Sequence, residues 1–278
     1  MMTKIFLLLI ATFTTLQINA QTVIAHKSKL DILYYHDSLL IDNYTKGKCK
    51  LDIHYPENTK DYPTLIWLHG GWLKKGSKEQ IPDELLKFNL CIVSVNYRLS
   101  PEVKAPDYLN DVSAAIAWVF NNIESFGGDT EKIFIAGHSA GGYLTSMIGL
   151  DKKWLNYHGI DINRVAGLIS LSGQTVTHTT IREEKGLSKD KIIVDEFAPL
   201  NHTRKDAPPL LLITGDRNID IPGRYEENLY LKKLMDIAGH KETKLLEMQG
   251  YGHMMINPAL PIMIKEIDEI CEKIDKSE

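Results

Sequence analysis

The chain has 278 residues, 44 % of them hydrophobic and 24 % charged, a globular composition with enough apolar material for one sizeable core. Its 32 Lys and Arg against 36 Asp and Glu leave a formal charge of −4, so no basic stripe is available to neutralise a nucleic-acid backbone. The 19 glycines and 11 prolines are scattered and no heptad persists, which excludes collagen-like, coiled-coil and low-complexity architectures.

In chain order, the N-terminus has the layout of a secretory signal. Lys4 supplies a positive charge, residues 5–11 are an apolar run, and Ile18-Asn19-Ala20 ends on a small residue at a cleavage point. Residues 1–20 are therefore expected to be a signal peptide, the run being too short to span a bilayer as a helix. This places the mature chain, residues 21–278, in a secreted or periplasmic setting as one domain. No second run of about 18 apolar residues follows, so no integral membrane association is expected. Cys49, Cys91 and Cys271 are too few and too far apart for a disulfide framework.

Residues 30–56 predict an antiparallel hairpin, its second arm alternating through Leu51-Asp52-Ile53-His54-Tyr55. Short apolar runs follow at 64–68, 91–95, 133–136, 167–171, 210–214 and 244–248, each bounded by turn residues. They read as buried strands. Helical spacing appears at 109–123, after Gly142, at 224–237 and at 262–274. Strands alternating with helices predict an α/β fold, a mostly parallel sheet covered on both faces. The polar stretch 174–206 breaks the alternation and reads as a small lid-like insertion or a surface excursion.

The strongest motif is Gly137-His138-Ser139-Ala140-Gly141-Gly142, between the run at 133–136 and a helical segment. G-x-S-x-G in a strand–turn–helix setting holds a serine Oγ at the carboxyl edge of a sheet, on a turn too tight for side chains beside it. Ser139 is the candidate nucleophile. His69-Gly70-Gly71-Trp72 follows the run at 64–68, and acyl transfer needs amide donors for a developing oxyanion. Gly70 or Gly71, with Ala140, are the candidate donors. Trp72 and His138 are candidate substrate-pocket residues, Trp72 equally a packing residue under the loop.

A serine nucleophile needs an imidazole base. His253 directly follows the last strand run and returns to the same sheet edge, whereas His240 precedes that strand and falls at the opposite edge. The orienting acid should come from the loop after 210–214, where Asp216 and Asp220 both qualify. The histidines stand alone, with no metal-ligand spacing, so neither metal nor cofactor is expected.

With these residues in hand, the chain resembles the α/β-hydrolase superfamily, in its acetyl esterase/lipase branch of hormone-sensitive-lipase-like and feruloyl or acetylxylan esterase-like carboxylesterases. The resemblance covers about 50–260 and rests on 69–72, on Asn96-Tyr97-Arg98-Leu99-Ser100-Pro101, on Phe126-Gly127-Gly128-Asp129 and on 137–142. It implies an α/β-hydrolase fold and a serine carboxylesterase acting on short-chain acyl or aryl esters, including acetyl or feruloyl groups on polysaccharide fragments. It also implies that the Asn-Tyr-Arg-Leu-Ser-Pro stretch braces the oxyanion loop. Two departures stand out: the glycine pair at 70–71 where three are commoner, and Asn218 where many relatives carry the acid. The alternatives are an arylformamidase-like amidase and a non-catalytic binding protein of the same fold.

Overall fold

The structure is a computed structural model that describes residues 24–35 and 42–277. The signal-peptide reading of residues 1–20 lies outside the described residues. Eight strands form one sheet: β1 His26–Leu33, β2 Lys50–Pro56, β3 Tyr62–Leu68, β4 Cys91–Val95, β5 Gly128–His138, β6 Gly167–Leu171, β7 Leu210–Gly215 and β8 Thr243–Met248. Their order is β1-β2-β4-β3-β5-β6-β7-β8. β1, β2 and β4 pair antiparallel, and every pair from β4 to β8 is parallel. The predicted hairpin is present, with a short helix, α1 Asn43–Lys48, directly before its second arm.

The apolar runs are continuous because both faces of the sheet are covered. Ile66, Val93, Ile135 and Leu212 point into one hydrophobic cluster, with α2 Asp107–Asn122 and α3 Ala140–Leu150. Their neighbours Leu65, Ile92, Phe134 and Leu211 point into the other, beneath α7 Ile256–Asp275. α7 starts six residues before the predicted 262. Pro258 falls in its first turn, where an amide hydrogen has no intrahelical partner anyway. The remaining α-helices among the described residues are α4 Lys153–Asn156, α5 Thr179–Glu184 inside the 174–206 insertion, and α6 Arg224–Ile237. All three cysteines are unpaired. Among the described residues no helix is long and apolar enough to cross a membrane.

The parallel register brings the strand ends together. Leu68 pairs with Gly137, His138 with Leu171, and Gly215 with Met248. The loops that follow β3, β5, β6, β7 and β8 therefore open on one edge of the sheet, where open α/β sheets place their ligands.

Candidate active site

Ser139 sits between β5 and α3 at φ 57° and ψ −114°, a backbone conformation rarely open to L-residues. The tightness of the turn explains its glycines. A Cβ on Gly141 would lie 1.9 Å from the carbonyl oxygen of Leu68, and one on Gly137 2.5 Å from the Gly141 carbonyl carbon. The Ser139 amide is anchored on the Leu171 carbonyl at 2.8 Å.

Three loops complete a proton path. Ser139 Oγ lies 3.0 Å from His253 Nε2. His253 Nδ1 lies 2.8 Å from Asp220 Oδ1. The Asp220 carboxylate also accepts from the amides of Ile221 at 2.6 Å and Gly215 at 2.9 Å, and from Ser172 Oγ at 2.7 Å. Burial alone would raise its pKa, but the hydrogen bonds from His253, Ser172 and the Ile221 amide hold it well below the usual carboxylate range. It is thus an anion whenever His253 could use one.

Asp216 goes elsewhere. Its carboxylate accepts from the Gly250 amide at 3.0 Å and the Asn218 amide at 2.9 Å, and its own amide donates to the Tyr251 carbonyl. It ties the acid loop to the histidine loop, and of the two candidate acids only Asp220 meets His253.

The amides of Gly70, Gly71 and Ala140 have no protein acceptor among the described residues. Gly70 runs alongside the nucleophile, its missing Cβ 3.5 Å from Ser139 Cβ. Gly71 adopts φ +113°, where a Cβ would fall 2.0 Å from the Lys75 carbonyl oxygen. The loop is held from behind. Tyr97 stacks on His69 at 4.3 Å and donates to its carbonyl at 2.8 Å, while the Ser100 amide donates to the Leu73 carbonyl. Burial pushes His69 down to about 4, so it is a weak proton acceptor, poorly suited to act as the base.

His138 does not line the cavity that Trp72 walls. It is buried beneath the histidine loop, with Nε2 2.7 Å from the His253 carbonyl oxygen and its ring 4.7 Å from that of His253. Burial, then the adjacent His253 imidazole, push it down to about 4, so it is a neutral donor that fixes the His253 backbone. Trp72, by contrast, is 42 % exposed and walls a cavity of about 990 Å³, which the 174–206 insertion and the start of α6 complete. His240, at the opposite edge, bonds Thr243 and the Ala207 carbonyl.

Sequence reasoning missed Ser172. Besides Asp220 it touches His253 Nδ1 at 3.0 Å, and it too has positive φ, 47°. The available signal was its place immediately after β6, the strand beside the nucleophile strand.

Comparison with known proteins follows the same geometry. The family model described as BD-FAE matches residues 51–233. Esterase LipC of Mycobacterium tuberculosis is 27 % identical over 217 residues, which are 70 % of this chain and 53 % of that protein. The chain thus spans about half the length of that relative. Among solved structures, a truncated carbohydrate esterase from gut microbiota superposes with TM-score 0.66 at 24 % identity, covering 84 % of this chain and 91 % of the other. Esterase B of Lactobacillus rhamnosis superposes with TM-score 0.70 at 19 % identity, over 91 % and 88 % of the two chains. These likenesses show the fold, that of the α/β-hydrolases.

Proposed function

The chain belongs to the BD-FAE family, within the α/β-hydrolase carboxylesterase branch, and from that premise we propose that it hydrolyses carboxylic esters through an acyl-enzyme on Ser139. The observation that carries the reading is the unbroken chain of contacts from Ser139 Oγ through both His253 nitrogens to Asp220.

His253 Nε2 takes the Ser139 proton as Oγ attacks the ester carbonyl. Its Nδ1–H stays on Asp220, which stabilises the imidazolium without accepting the proton. The tetrahedral oxyanion rests on the Ala140 amide and on Gly70 or Gly71, each such donor being worth about 3 kcal/mol of transition-state stabilisation. His253 then protonates the departing alcohol. Water repeats the sequence on the acyl-enzyme and releases the acid. None of these donors is engaged by another group among the described residues, so each is available when charge develops.

The substrates we propose are short-chain acyl or aryl esters, including acetyl or feruloyl groups on oligosaccharides. The exposed Trp72 and Tyr230 on the cavity wall offer faces on which an aryl or sugar ring can rest. The signal-like residues 1–20 support a secreted or periplasmic enzyme.

The test is hydrolysis of p-nitrophenyl esters from acetate to palmitate, with Ser139→Ala as control and a fluorophosphonate probe for the activated serine. Serine-dependent turnover greatest on acetate and collapsing beyond butyrate is expected. A stable, folded protein that neither turns over any ester nor takes the probe would overturn the reading.

A further inference from the structure

The cavity beside Trp72 and Ile221 is lined by two arginines from different elements, Arg182 on α5 and Arg224 at the first position of α6. Both are almost wholly buried, 2 % and 4 % exposed. A buried guanidinium is strongly disfavoured unless paired and hydrogen-bonded, and neither is fully satisfied. Arg182 gives Nη1 to the Lys191 carbonyl at 2.5 Å and Nη2 to Thr179 Oγ1 at 2.9 Å, leaving Nε without an acceptor among the described residues. Among the described residues neither Nε nor Nη1 of Arg224 is hydrogen-bonded; Glu227 Oε1 lies 3.3 Å from Nε as its ion-pair partner.

The local charge does not close. Glu227 is the one mostly buried carboxylate on the cavity wall, and its Oε2 accepts from the amides of Thr175 and Val176. Glu183 is engaged by Lys74. Asp190 and Glu226 lie at the exposed rim, where water screens them. His178, packed 6.3 Å from the Trp72 ring, is pushed down to about 3 by burial and then by Arg224, Arg182 and Lys74, so it is neutral. On the cavity wall two buried cations thus share one mostly buried anion. The amino end of α6 adds positive potential at the same wall.

We propose that Arg224 and Arg182 form a carboxylate subsite, so that the preferred substrate is an ester bearing a carboxylate away from the scissile bond. This rests on the esterase reading. Arg224 Nε and Nη1 are shielded from solvent, so a substrate carboxylate in the cavity would meet this guanidinium at Nη2, and planar guanidinium donors suit it better than ammonium groups do. The carboxylate can sit on the acyl side, as in a dicarboxylic hemiester, or on the alcohol side, as in an acylated uronic or hydroxybenzoic acid.

Two substrate pairs separate these sources. Mono(4-nitrophenyl) glutarate against 4-nitrophenyl valerate tests the acyl side; 4-acetoxybenzoate against its methyl ester tests the alcohol side. The wild-type protein is expected to favour the anionic member of one pair by about tenfold in kcat/KM, expressed in KM, as a charge-assisted hydrogen bond allows. Arg224→Gln should abolish that ratio, Arg224→Lys restore part of it, and Glu227→Gln raise it by removing the competing anion. A wild-type ratio at or below one in both pairs overturns the subsite, as does a ratio unmoved by both Arg224→Gln and Arg182→Lys. If the wild type hydrolyses no member of either pair, the esterase reading fails separately. Calorimetric titration with glutarate and 4-hydroxybenzoate then decides the subsite: binding lost in Arg224→Gln upholds it, and no binding overturns it.

Discussion

Ser172 Oγ donates to Asp220 Oδ2 at 2.7 Å, so the carboxylate that faces His253 is held by a hydroxyl from the neighbouring strand end as well as by two amides of its own loop. With that bond in place on Oδ2, Oδ1 is shared between the Ile221 amide and His253. A hydrogen bond to a charged group contributes about 1.5–3 kcal/mol, part of it felt as orientation of the imidazole. Ser172→Ala should lower kcat by about tenfold on p-nitrophenyl acetate with little change in KM. Unchanged kcat in a folded variant would show that the two amides suffice.

Asp216 and Asp220 are separable by the same assay. Asp220→Asn keeps the shape but removes the anion that stabilises imidazolium, and the loss of kcat expected for such a change is about 10⁴-fold. Asp216→Asn still accepts from the Gly250 amide and should retain more than a tenth of the activity. Asp216→Ala should instead loosen the tie between the acid and histidine loops, read as a lower Tm. A collapse of kcat in Asp216→Asn would reverse the two assignments.

What the sequence made legible follows from how local each determinant is. Ser139 announces itself because its turn forces glycines at 137 and 141, and His253 because it directly follows a strand run. The fold was legible because the alternation of runs and helices survives in a single sequence. The choice between Asp216 and Asp220 was not, since both occupy one loop. It is decided by the Asp220 amide bonding the Asp216 carbonyl and by Gly250 claiming the Asp216 carboxylate, contacts 34 residues apart in the second case. His138 was placed in the substrate pocket, but the bond to the His253 carbonyl turns it into a brace. Ser172 left no motif at all; only the neighbouring of β6 and β7 brings it to Asp220.

The oxyanion loop offers a sharper test than the nucleophile turn, where any side chain at 141 would meet the backbone of Leu68. Gly71 combines φ +113° with a Cβ position 2.0 Å from the Lys75 carbonyl oxygen. Gly71→Ala must therefore move the loop that carries the proposed donors. Because the donors act on the transition state, the loss should fall on kcat, by about 10²-fold, with KM changing less. Activity within threefold of wild type would place the oxyanion on other amides.

Three buried histidines make stability depend on pH. Burial pushes His69 and His138 down to about 4 and His178 to about 3, from 6.5. Each is neutral in the folded protein, whereas in the unfolded chain each takes up a proton as the pH falls through 6.5. Unfolding therefore binds up to about three protons between pH 6.5 and 4, and stability must rise with pH across that window. It is fully present above 6.5 and is lost as the pH approaches the folded-state values. The Asp220 carboxylate, held below its usual range, adds its own loss only at still lower pH. Urea midpoints measured from pH 7.5 to 4.5 should fall steadily below 6.5. Replacing His178 with Gln, which keeps a polar group of similar reach, should flatten the slope by about one proton. Midpoints that stay level down to pH 4.5 would mean that these histidines are protonated in the folded protein and that their buried contacts have been misassigned.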